Sequence, residues 1–236
     1  MKTKTNNVCR QDNWDFLELA PEFNHNEKEF FRQYGQIYVY RSGEKINLGQ
    51  SKYDTTIWWV LSGSVLLEDP CRNGKIIFTY LKDGMYLPAD LEVASRQTLL
   101  TIAHICQEVT LLELQLQRFD YLKQTNNHFI GLVHQSLVKK YLLQKLILQI
   151  CAEGKIADRI KNILIFFARE CGSHLQNGDI ALSNALTYRT IASFANTSQT
   201  TVCQSIKQYR EKGLLSKKSR KLIIRHQAME MLLELS

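Results

Sequence analysis

The stretch from Leu186 to Leu215 constrains the chain most, because its pattern predicts two short helices joined by a tight turn. The first helix is predicted over residues 188–194, and Asn196 in the following turn tolerates the left-handed backbone that such a corner needs. Ser198 suits the N-cap of a second helix, which is predicted over residues 199–212. The inward stripe of this second helix is predicted to comprise Val202, Ile206 and Tyr209.

The outward face of the second predicted helix carries side chains that suit DNA. Glutamine can form two hydrogen bonds with adenine, threonine can contact a thymine methyl group, and lysine can pair with a phosphate. This chemistry favours a helix-turn-helix whose second helix enters the major groove. An ordinary helical hairpin with a polar face is the alternative, since helix pairs of this length are common. The face comprises Gln199, Thr200, Cys203, Gln204, Lys207 and Gln208.

A basic hairpin is predicted directly after the helix pair. Residues 214–215 and 222–225 predict two strands, and residues 216–221 form a basic turn between them. Eight Lys or Arg and a single acid lie between Lys207 and Arg225. A charge run is usually only a solvated face, but this one lies where a wing would meet phosphates. The predicted DNA contacts are therefore Ser198, Gln199, Thr200, Thr201, Gln204, Lys207, Lys217, Lys218 and Arg220.

Composition narrows the partners and the compartment. The net charge of +7 is compatible with nucleic acid, and 44% apolar residues indicate a globular chain. The six cysteines lie at least twenty positions apart, which lacks the spacing of zinc or iron–sulfur sites and suits a reducing cytosol. No segment has the roughly 18 uninterrupted apolar residues of a membrane span, and the N-terminus lacks the apolar run of a signal peptide. We therefore expect a cytoplasmic protein without a membrane partner.

Short apolar runs, separated by turns that contain glycine, recur between residues 36 and 118 and predict a sandwich or jelly roll. Asn73-Gly74 gives the strongest hairpin signal, because both residues tolerate positive φ. A metal-binding catalytic roll would need several inward histidines, and His104 alone lies in these runs. No catalytic constellation is apparent, so we expect no enzyme. The predicted strands are Ile37–Tyr40, Thr56–Leu61, Ser64–Leu67, Lys75–Tyr80, Leu99–His104 and Val109–Gln115.

One long helix is predicted over residues 127–152, with apolar residues on two stripes. One stripe is enough to seat a helix on its own domain, so two stripes indicate burial on two sides. We expect one side to pack on the roll and the other on the same helix of a second subunit. A helix buried wholly within one chain is the alternative. The stripes comprise Ile130, Val133, Leu137, Tyr141, Leu148 and Cys151, and Val138, Leu142, Leu146 and Ile150.

The break at Glu153-Gly154-Lys155 sets the predicted domain boundary. Residues 1–126 are predicted to be the sensor domain, residues 127–153 the dimerisation helix, and residues 154–236 the DNA-binding domain. A further amphipathic helix is predicted over residues 156–171.

The order of roll, long helix, hinge and helix-turn-helix resembles the Crp/Fnr family of bacterial transcription regulators over roughly residues 34 to 230. The resemblance implies an α+β fold with an N-terminal jelly roll like a cyclic-nucleotide-binding domain, a dimerisation helix, and a C-terminal winged helix-turn-helix. The glycine-punctuated strands that match are Gly43-Glu44-Lys45-Ile46, Gly49, residues 58–65, Gly74 and residues 80–84. The helical residues that match are Arg159-Ile160, Leu164, Phe167, Ala168, Thr187, Ile191, Ala192, Ser198, Thr201 and Val202.

Two departures from the family bear on its ligands. Members that bind cyclic AMP carry Gly-Glu and Arg-Ser pairs, and the matching positions here are Pro88-Ala89 and Leu99-Leu100. A buried cyclic phosphate would lack a cation there, which argues against cyclic AMP. The oxygen-sensing branch uses a cysteine cluster, and Cys9 alone lies near the N-terminus, which argues against an iron–sulfur cluster. If a small-molecule effector binds, the expected pocket residues are Leu87, Leu99, Leu100, Tyr141, Gln144 and Lys145.

A third departure concerns the base-reading positions, which are often Arg, Glu and Arg in the family. The matching residues here are Gln199, Thr200 and Gln204. Because the arginines that best contact guanine are missing, we predict a half-site richer in A·T than the usual one. Cys203 on the same helix could act as a redox-active thiol, although a buried or inert thiol is the alternative.

These observations predict a homodimeric, sequence-specific regulator that binds an inverted repeat in double-stranded DNA. It would be controlled by an effector other than a cyclic nucleotide, or be constitutive. RNA polymerase would be a further partner of an activator, although no surface for it can be identified in the sequence. A ligand-sensing jelly roll whose helical tail binds a protein instead of DNA is the alternative.

Overall fold

The structure is a computed structural model that describes residues 25–48, 56–70, 76–87, 101–152, 154–219 and 221–228. The chain forms two compact units that divide between Leu142 and Leu143. The predicted boundaries after residues 126 and 153 separate segments by function rather than by compactness, so they stay predictions. No helix among the described residues combines the length and the apolar character that crossing a bilayer requires.

The first unit contains two four-stranded antiparallel sheets, ordered β1-β8-β3-β6 and β2-β7-β4-β5. The strands are β1 Gln36–Tyr40, β2 Lys45–Asn47, β3 Thr56–Ser62, β4 Ser64–Pro70, β5 Ile76–Lys82, β6 Tyr86–Leu87, β7 Ile102–Ile105 and β8 Val109–Gln115. The predicted antiparallel strands are thus confirmed, with β7 starting later than predicted. Asn73-Gly74 lies outside the described residues, between strands that pair from Ser64↔Lys82 to Pro70↔Ile76.

Helices cover one face of the first of these sheets. They are α1 His25–Arg32, α2 Leu116–Thr125 and the start of α3 Asn127–Cys151. Trp59 lies at the centre of the shared core, with its ring centre 5.1 Å from that of Phe31 and 5.8 Å from that of Phe129. All three side chains are fully buried. Burying such rings dominates the energetics of a core, so this cluster seats the helices on the sheet.

The long helix α3 begins where predicted, because the Asn126 side chain accepts a hydrogen bond from the backbone N–H of Phe129 at 2.9 Å. Its two apolar stripes differ in burial: Leu146 and Ile150 are fully buried, whereas Tyr141 and Leu148 are 64% and 68% exposed. Val138 differs from Leu146 and Ile150 of the same predicted stripe, since it is 57% exposed. The exposed apolar residues of α3 are Ile130, Leu137, Val138, Tyr141 and Leu148.

The second unit is built on α4 Ile156–Cys171, whose predicted bounds are confirmed. A four-stranded antiparallel sheet of order β11-β12-β10-β9 lies in the same unit. Its strands are β9 Ser173–His174, β10 Ile180–Ala181, β11 Leu215–Lys218 and β12 Lys221–Ile224. The remaining helices of the unit are α5 Tyr188–Phe194 and α6 Gln199–Glu211. Phe167 of α4 contacts Phe194 of α5 edge to face at 5.2 Å, so the core of this unit lies between α4 and the helix pair.

Candidate nucleic-acid interface

The helix pair α5–α6 starts each helix with a side-chain cap. Thr187 Oγ1 accepts a hydrogen bond from the Thr190 N–H at 3.1 Å, and Ser198 Oγ accepts one from the Thr201 N–H at 3.1 Å. Asn196 in the turn has a φ of 47°, the left-handed conformation that its side chain predicted. The predicted bounds of α5 are confirmed, and α6 ends one residue earlier than predicted.

Long-range hydrogen bonds fix the turn between the two helices. The Arg159 Nε–H donates to the carbonyl of Ala195 at 2.9 Å, and the Cys151 thiol donates to the carbonyl of Phe194 at 2.7 Å. Burial raises the pKa of the Cys151 thiol, against the opposing charge of Arg159, so the thiol is held in its donating, protonated form. These two contacts satisfy carbonyl groups that the end of α5 would otherwise leave unpaired.

The inward stripe of α6 packs as predicted. Val202 and Ile206 are buried, and the Tyr209 hydroxyl donates to the carbonyl of Ala157 at 3.0 Å. Burial and then the charge of Asp158 raise the pKa of Tyr209 to about 12, so this hydroxyl keeps its proton. The inward side of α6 is therefore packed within the unit, which leaves the opposite face exposed to another molecule.

The outward face of α6 is exposed at every position predicted for it, namely Gln199, Thr200, Cys203, Gln204, Lys207 and Gln208. Thr201 differs, because it is half-buried and its hydroxyl lies 2.9 Å from Ser198 Oγ. Those two hydroxyls are engaged with each other at the start of the helix. Lys207 lies 3.9 Å from Glu211, but an ion pair this exposed contributes at most about 1 kcal/mol and would yield readily to a phosphate.

The hairpin β11–β12 carries its lysines outward. Lys218 pairs in register with Lys221, and Ser219 in the turn has a φ of 49°. Lys217 and Lys218 are exposed as predicted, whereas Arg220 lies outside the described residues. A backbone hydrogen bond from the N–H of Leu182 to the carbonyl of Leu222 ties the hairpin to the rest of the unit, and one from the N–H of Arg225 to the carbonyl of Leu214 closes the base of the hairpin.

A cleft of about 600 Å³ lies between the start of α5, the first residue of α6 and the hairpin. It brings together two of the predicted contacts, Gln199 and Lys217, and its lining holds two cations and no acid. The Lys217 ammonium lies 5.6 Å from the centre of the Tyr188 ring, within cation–π range. The lining comprises Asn184, Leu186, Thr187, Tyr188, Arg189, Gln199, Lys217, Ser219 and Leu222.

Sequence reasoning missed the aromatic ring and the second cation of this cleft, Tyr188 and Arg189. Both are the first residues of a helix whose start was predicted correctly, so an aromatic residue and a cation at that position were the available signal. Burial, and then the neighbouring Cys203, raise the pKa of the Tyr188 phenol, while the positive charge of Arg210 opposes the shift. Tyr188 is therefore a neutral ring on which Lys217 lies.

The predicted effector pocket cannot be assembled from the described residues. Tyr141, Gln144 and Lys145 are exposed on α3. Leu99 and Leu100, like Pro88 and Ala89, lie outside the described residues, and so does the side chain of Leu87. The pocket therefore stays a prediction. Cys9 also lies outside, and the described residues contain no group of His, Cys, Asp or Glu suited to a metal ion.

Several solved structures share this fold. A transcriptional regulator of the CRP/FNR family from Thermus thermophilus, TTHA1359, matches at 16% identity with a TM-score of 0.61, covering 84% of this chain and 98% of its own. The c-di-GMP responsive global regulator CLP of Xanthomonas campestris matches at 17% identity and a TM-score of 0.63, covering 86% and 99%. A CooA mutant from Carboxydothermus hydrogenoformans matches at 15% identity and a TM-score of 0.59, covering 92% of each chain.

Sequence comparisons add nothing to this likeness, since no family model and no curated protein matches the chain. At 12–17% identity the likeness is one of fold. The resemblance found in the sequence is confirmed at that level: this chain has the mixed α/β fold, with antiparallel sheets, of CRP/FNR transcriptional regulators.

Proposed function

We propose that this chain is a homodimeric, sequence-specific DNA-binding transcription regulator of the Crp/Fnr type. One observation carries the proposal: the capped helix α6 exposes a mainly polar face beside a cleft whose lining holds two cations and no acid. The likeness of fold to solved transcriptional regulators supports it. In this proposal α5 and α6 form the helix-turn-helix, β11 and β12 form its wing, and the first unit is a sensor jelly roll.

Base recognition falls to the amino end of α6. Gln199, Thr200 and Gln204 are exposed there, and glutamine pairs with adenine through two hydrogen bonds. Ser198 and Thr201 hold the helix start, where their hydroxyls and the free N–H groups can also meet a phosphate. This distribution assigns specificity to the glutamines and positioning to the helix start.

Affinity falls to the basic residues around the reading helix. Lys217, Lys218 and Arg220 of the wing, with Lys207 of α6, would neutralise phosphates on either side of the groove. Arg189 lines the cleft with Lys217 and would add a contact at the start of α5. Because these contacts ignore base identity, changing one of them should weaken binding to all sequences alike.

Selection of random duplexes by the full chain tests the proposal. We expect an inverted repeat with A·T-rich half-sites about one helical turn apart. Gln199→Ala and Gln204→Ala should each cost about 1–3 kcal/mol at one base pair of the half-site. Gln135→Ala is the control, since Gln135 is an exposed glutamine of α3 and lies outside the helix pair and the hairpin.

Three results would count against this proposal. Guanine-dominated half-sites that survive both glutamine changes would refute the assigned base contacts. Failure of the wild-type chain to shift any genomic fragment would favour a sensing module that binds a protein instead. A selected site without two-fold symmetry would refute binding as a dimer.

Dimerisation is proposed through α3. Its exposed residues Ile130, Leu137, Tyr141 and Leu148 are spaced by 7, 4 and 7 positions, which keeps them on one stripe in the pattern of a coiled coil. Exposed apolar residues in such a row indicate a protein partner, and an identical helix satisfies the pattern by two-fold symmetry. The predicted role of the helix over residues 127–153 in dimerisation therefore depends on this stripe.

Charge substitution on the stripe tests the dimer. Tyr141→Glu and Leu148→Glu should shift sedimentation from dimer to monomer at micromolar concentration, because each places a like charge against its symmetry mate. Gln135→Glu is the control, since Gln135 is an exposed polar residue on another face of the same helix. A wild-type chain that sediments as a monomer at that concentration would remove the dimer from the proposal.

A further inference from the structure

A second surface of the first unit combines aromatic rings with an acid. The register of the sheet sets Gln36 and Trp58 on either side of Glu113, so the three share one face. Tyr38 and Tyr40 follow Gln36 at alternate positions of β1 and therefore lie on that face too. Tyr38, Tyr40, Trp58 and Glu113 are called here the aromatic–acid patch.

The rings of the patch are in mutual contact and remain accessible. Tyr38 lies 5.8 Å from Trp58 at an interplanar angle of 52°, and 6.3 Å from Tyr40 at 23°. All three side chains are half-buried. The Tyr38 hydroxyl donates to the Gln36 side chain at 2.6 Å, which orients the Tyr38 ring. A preorganised set of three rings is thus present on a surface that another molecule can reach.

The carboxylate gives the patch a negative character. The Glu113 carboxylate, which competes with Gln36 to accept the Tyr38 hydroxyl proton, raises the pKa of Tyr38, and burial adds to the shift. Burial and then Glu113 raise the pKa of Tyr40, so both phenols are neutral rings beside an acid. Among the described residues, no Lys, Arg or His forms an ion pair with Glu113.

A half-buried acid beside ring faces is complementary to a cation. The faces of aromatic rings carry negative potential, and a guanidinium can stack on a ring while its N–H groups pair with a carboxylate. Among the strands that the structure describes, β1 lies at the edge of its sheet, and the three rings of the patch are partly exposed. A partly exposed patch suits a side chain presented by another surface, and Tyr, Trp and Arg are the residues most enriched in such contacts.

We propose that the aromatic–acid patch is a protein-docking site that receives an arginine side chain of a partner. Glu113 pairs with the guanidinium, and the rings of Tyr38 and Trp58 stack against it. The patch lies in the first unit and involves no residue of α6 or the hairpin, so the proposal stands or falls independently of DNA binding.

Indole resonances of the full chain, labelled with ¹⁵N-tryptophan, test the proposal. Trp58→Phe assigns the Trp58 resonance, and the probes are N-acetylarginine amide and N-acetylcitrulline amide, a neutral analogue of nearly the same shape. We expect the arginine probe to shift the Trp58 resonance saturably in the millimolar range and the citrulline probe to leave it unchanged. Glu113→Gln should weaken arginine binding about two- to fivefold, as expected for an accessible ion pair.

Two further variants separate a binding role from a structural one. Glu108→Gln removes an exposed acid just before β8 and should leave arginine binding unchanged. Tyr38→Leu should leave the other indole resonances of the folded chain in place yet weaken arginine binding about two- to fivefold, because it removes one of the two rings that stack on the guanidinium. Equal shifts with citrulline, or unchanged binding in Glu113→Gln, would overturn the proposal. Equal binding of N-acetyllysine amide would overturn its restriction to arginine.

Discussion

Tyr188 offers the sharpest test of the cleft between the helix pair and the hairpin. Its ring carries the Lys217 ammonium at 5.6 Å, and both side chains line the same cleft. A lysine side chain on a hairpin has many rotamers, and immobilising it on binding costs about 0.5–1.5 kcal/mol. A ring that already restricts Lys217 reduces this cost, so Tyr188 should strengthen a phosphate contact that it does not itself make.

The size of the effect follows from the cation–π contact. At an exposed site such a contact contributes about 0.5–1 kcal/mol, so Tyr188→Ala should weaken DNA binding about two- to fivefold. If Lys217 then loses its phosphate, the slope of log affinity against log salt should fall in magnitude by about 0.9. Tyr188→Phe retains the ring face and should keep both the affinity and most of the slope.

Fluorescence anisotropy on a selected duplex, at salt concentrations from about 50 to 200 mM, measures both quantities. Lys217→Met defines the effect of losing the charge, and adding Tyr188→Ala to it should cost little more. Tyr121→Ala is a matched control, because Tyr121 is exposed on α2 and belongs to the other unit. Additive losses in the double variant, or Tyr188→Phe as weak as Tyr188→Ala, would refute the role of the ring and favour a hydroxyl contact with DNA.

Three further outcomes follow from single contacts. Lys139→Met should lower the free energy of unfolding by about 3–5 kcal/mol in urea titrations, because it removes the buried ammonium that lies 3.2 Å from the Asp83 carboxylate. Adding Asp83→Asn to this variant should restore part of the lost stability. Ser198→Ala should destabilise α6 by about 0.5–2 kcal/mol because the helix loses its N-cap, which faster amide hydrogen exchange in its first turn would show. Ser198→Asp supplies another capping oxygen and should restore slow exchange. In peptide-mapped alkylation near neutral pH, exposed Cys203 should react several-fold faster than Cys151, whose raised thiol pKa keeps it protonated until the pH is higher. Equal rates would contradict the half-buried, hydrogen-bonded Cys151 thiol.

The helix pair was predictable because its signals are local. Each signal lies within a few residues of the element that it determines: the cap at Ser198, the left-handed turn at Asn196 and the inward stripe from Val202. The anchors of the turn were not predictable, since Arg159 reaches Ala195 over 36 positions and Cys151 reaches Phe194 over 43. Contacts of that kind depend on how α4 and α5 pack, which sequence spacing alone does not determine.

The long helix shows a different limit. Both stripes of α3 are apolar, so periodicity predicted two sides of burial but could not say which stripe meets the chain's own core. Periodicity grouped Val138 with the buried residues Leu146 and Ile150 although Val138 is exposed, and the buried polar residues Ser136 and Lys139 gave no apolar signal at all. The cleft residues Tyr188 and Arg189 were missed similarly, because their role depends on a hairpin almost thirty positions away.

Ser136 and Lys139 suggest how a sensor could act on the proposed dimer. Ser136 Oγ accepts a hydrogen bond from the Tyr86 N–H at 3.2 Å, and the Lys139 ammonium donates to the carbonyl of Asp83 at 3.0 Å. Both contacts hold the turn that precedes residues 88–100, where the family's nucleotide-binding positions would lie. Leu137 and Tyr141 of the exposed stripe belong to the same turns of α3. A ligand that displaced this turn would therefore move α3 next to the residues proposed to dimerise. It could change the arrangement of the dimer only if it bound more tightly to one of two arrangements.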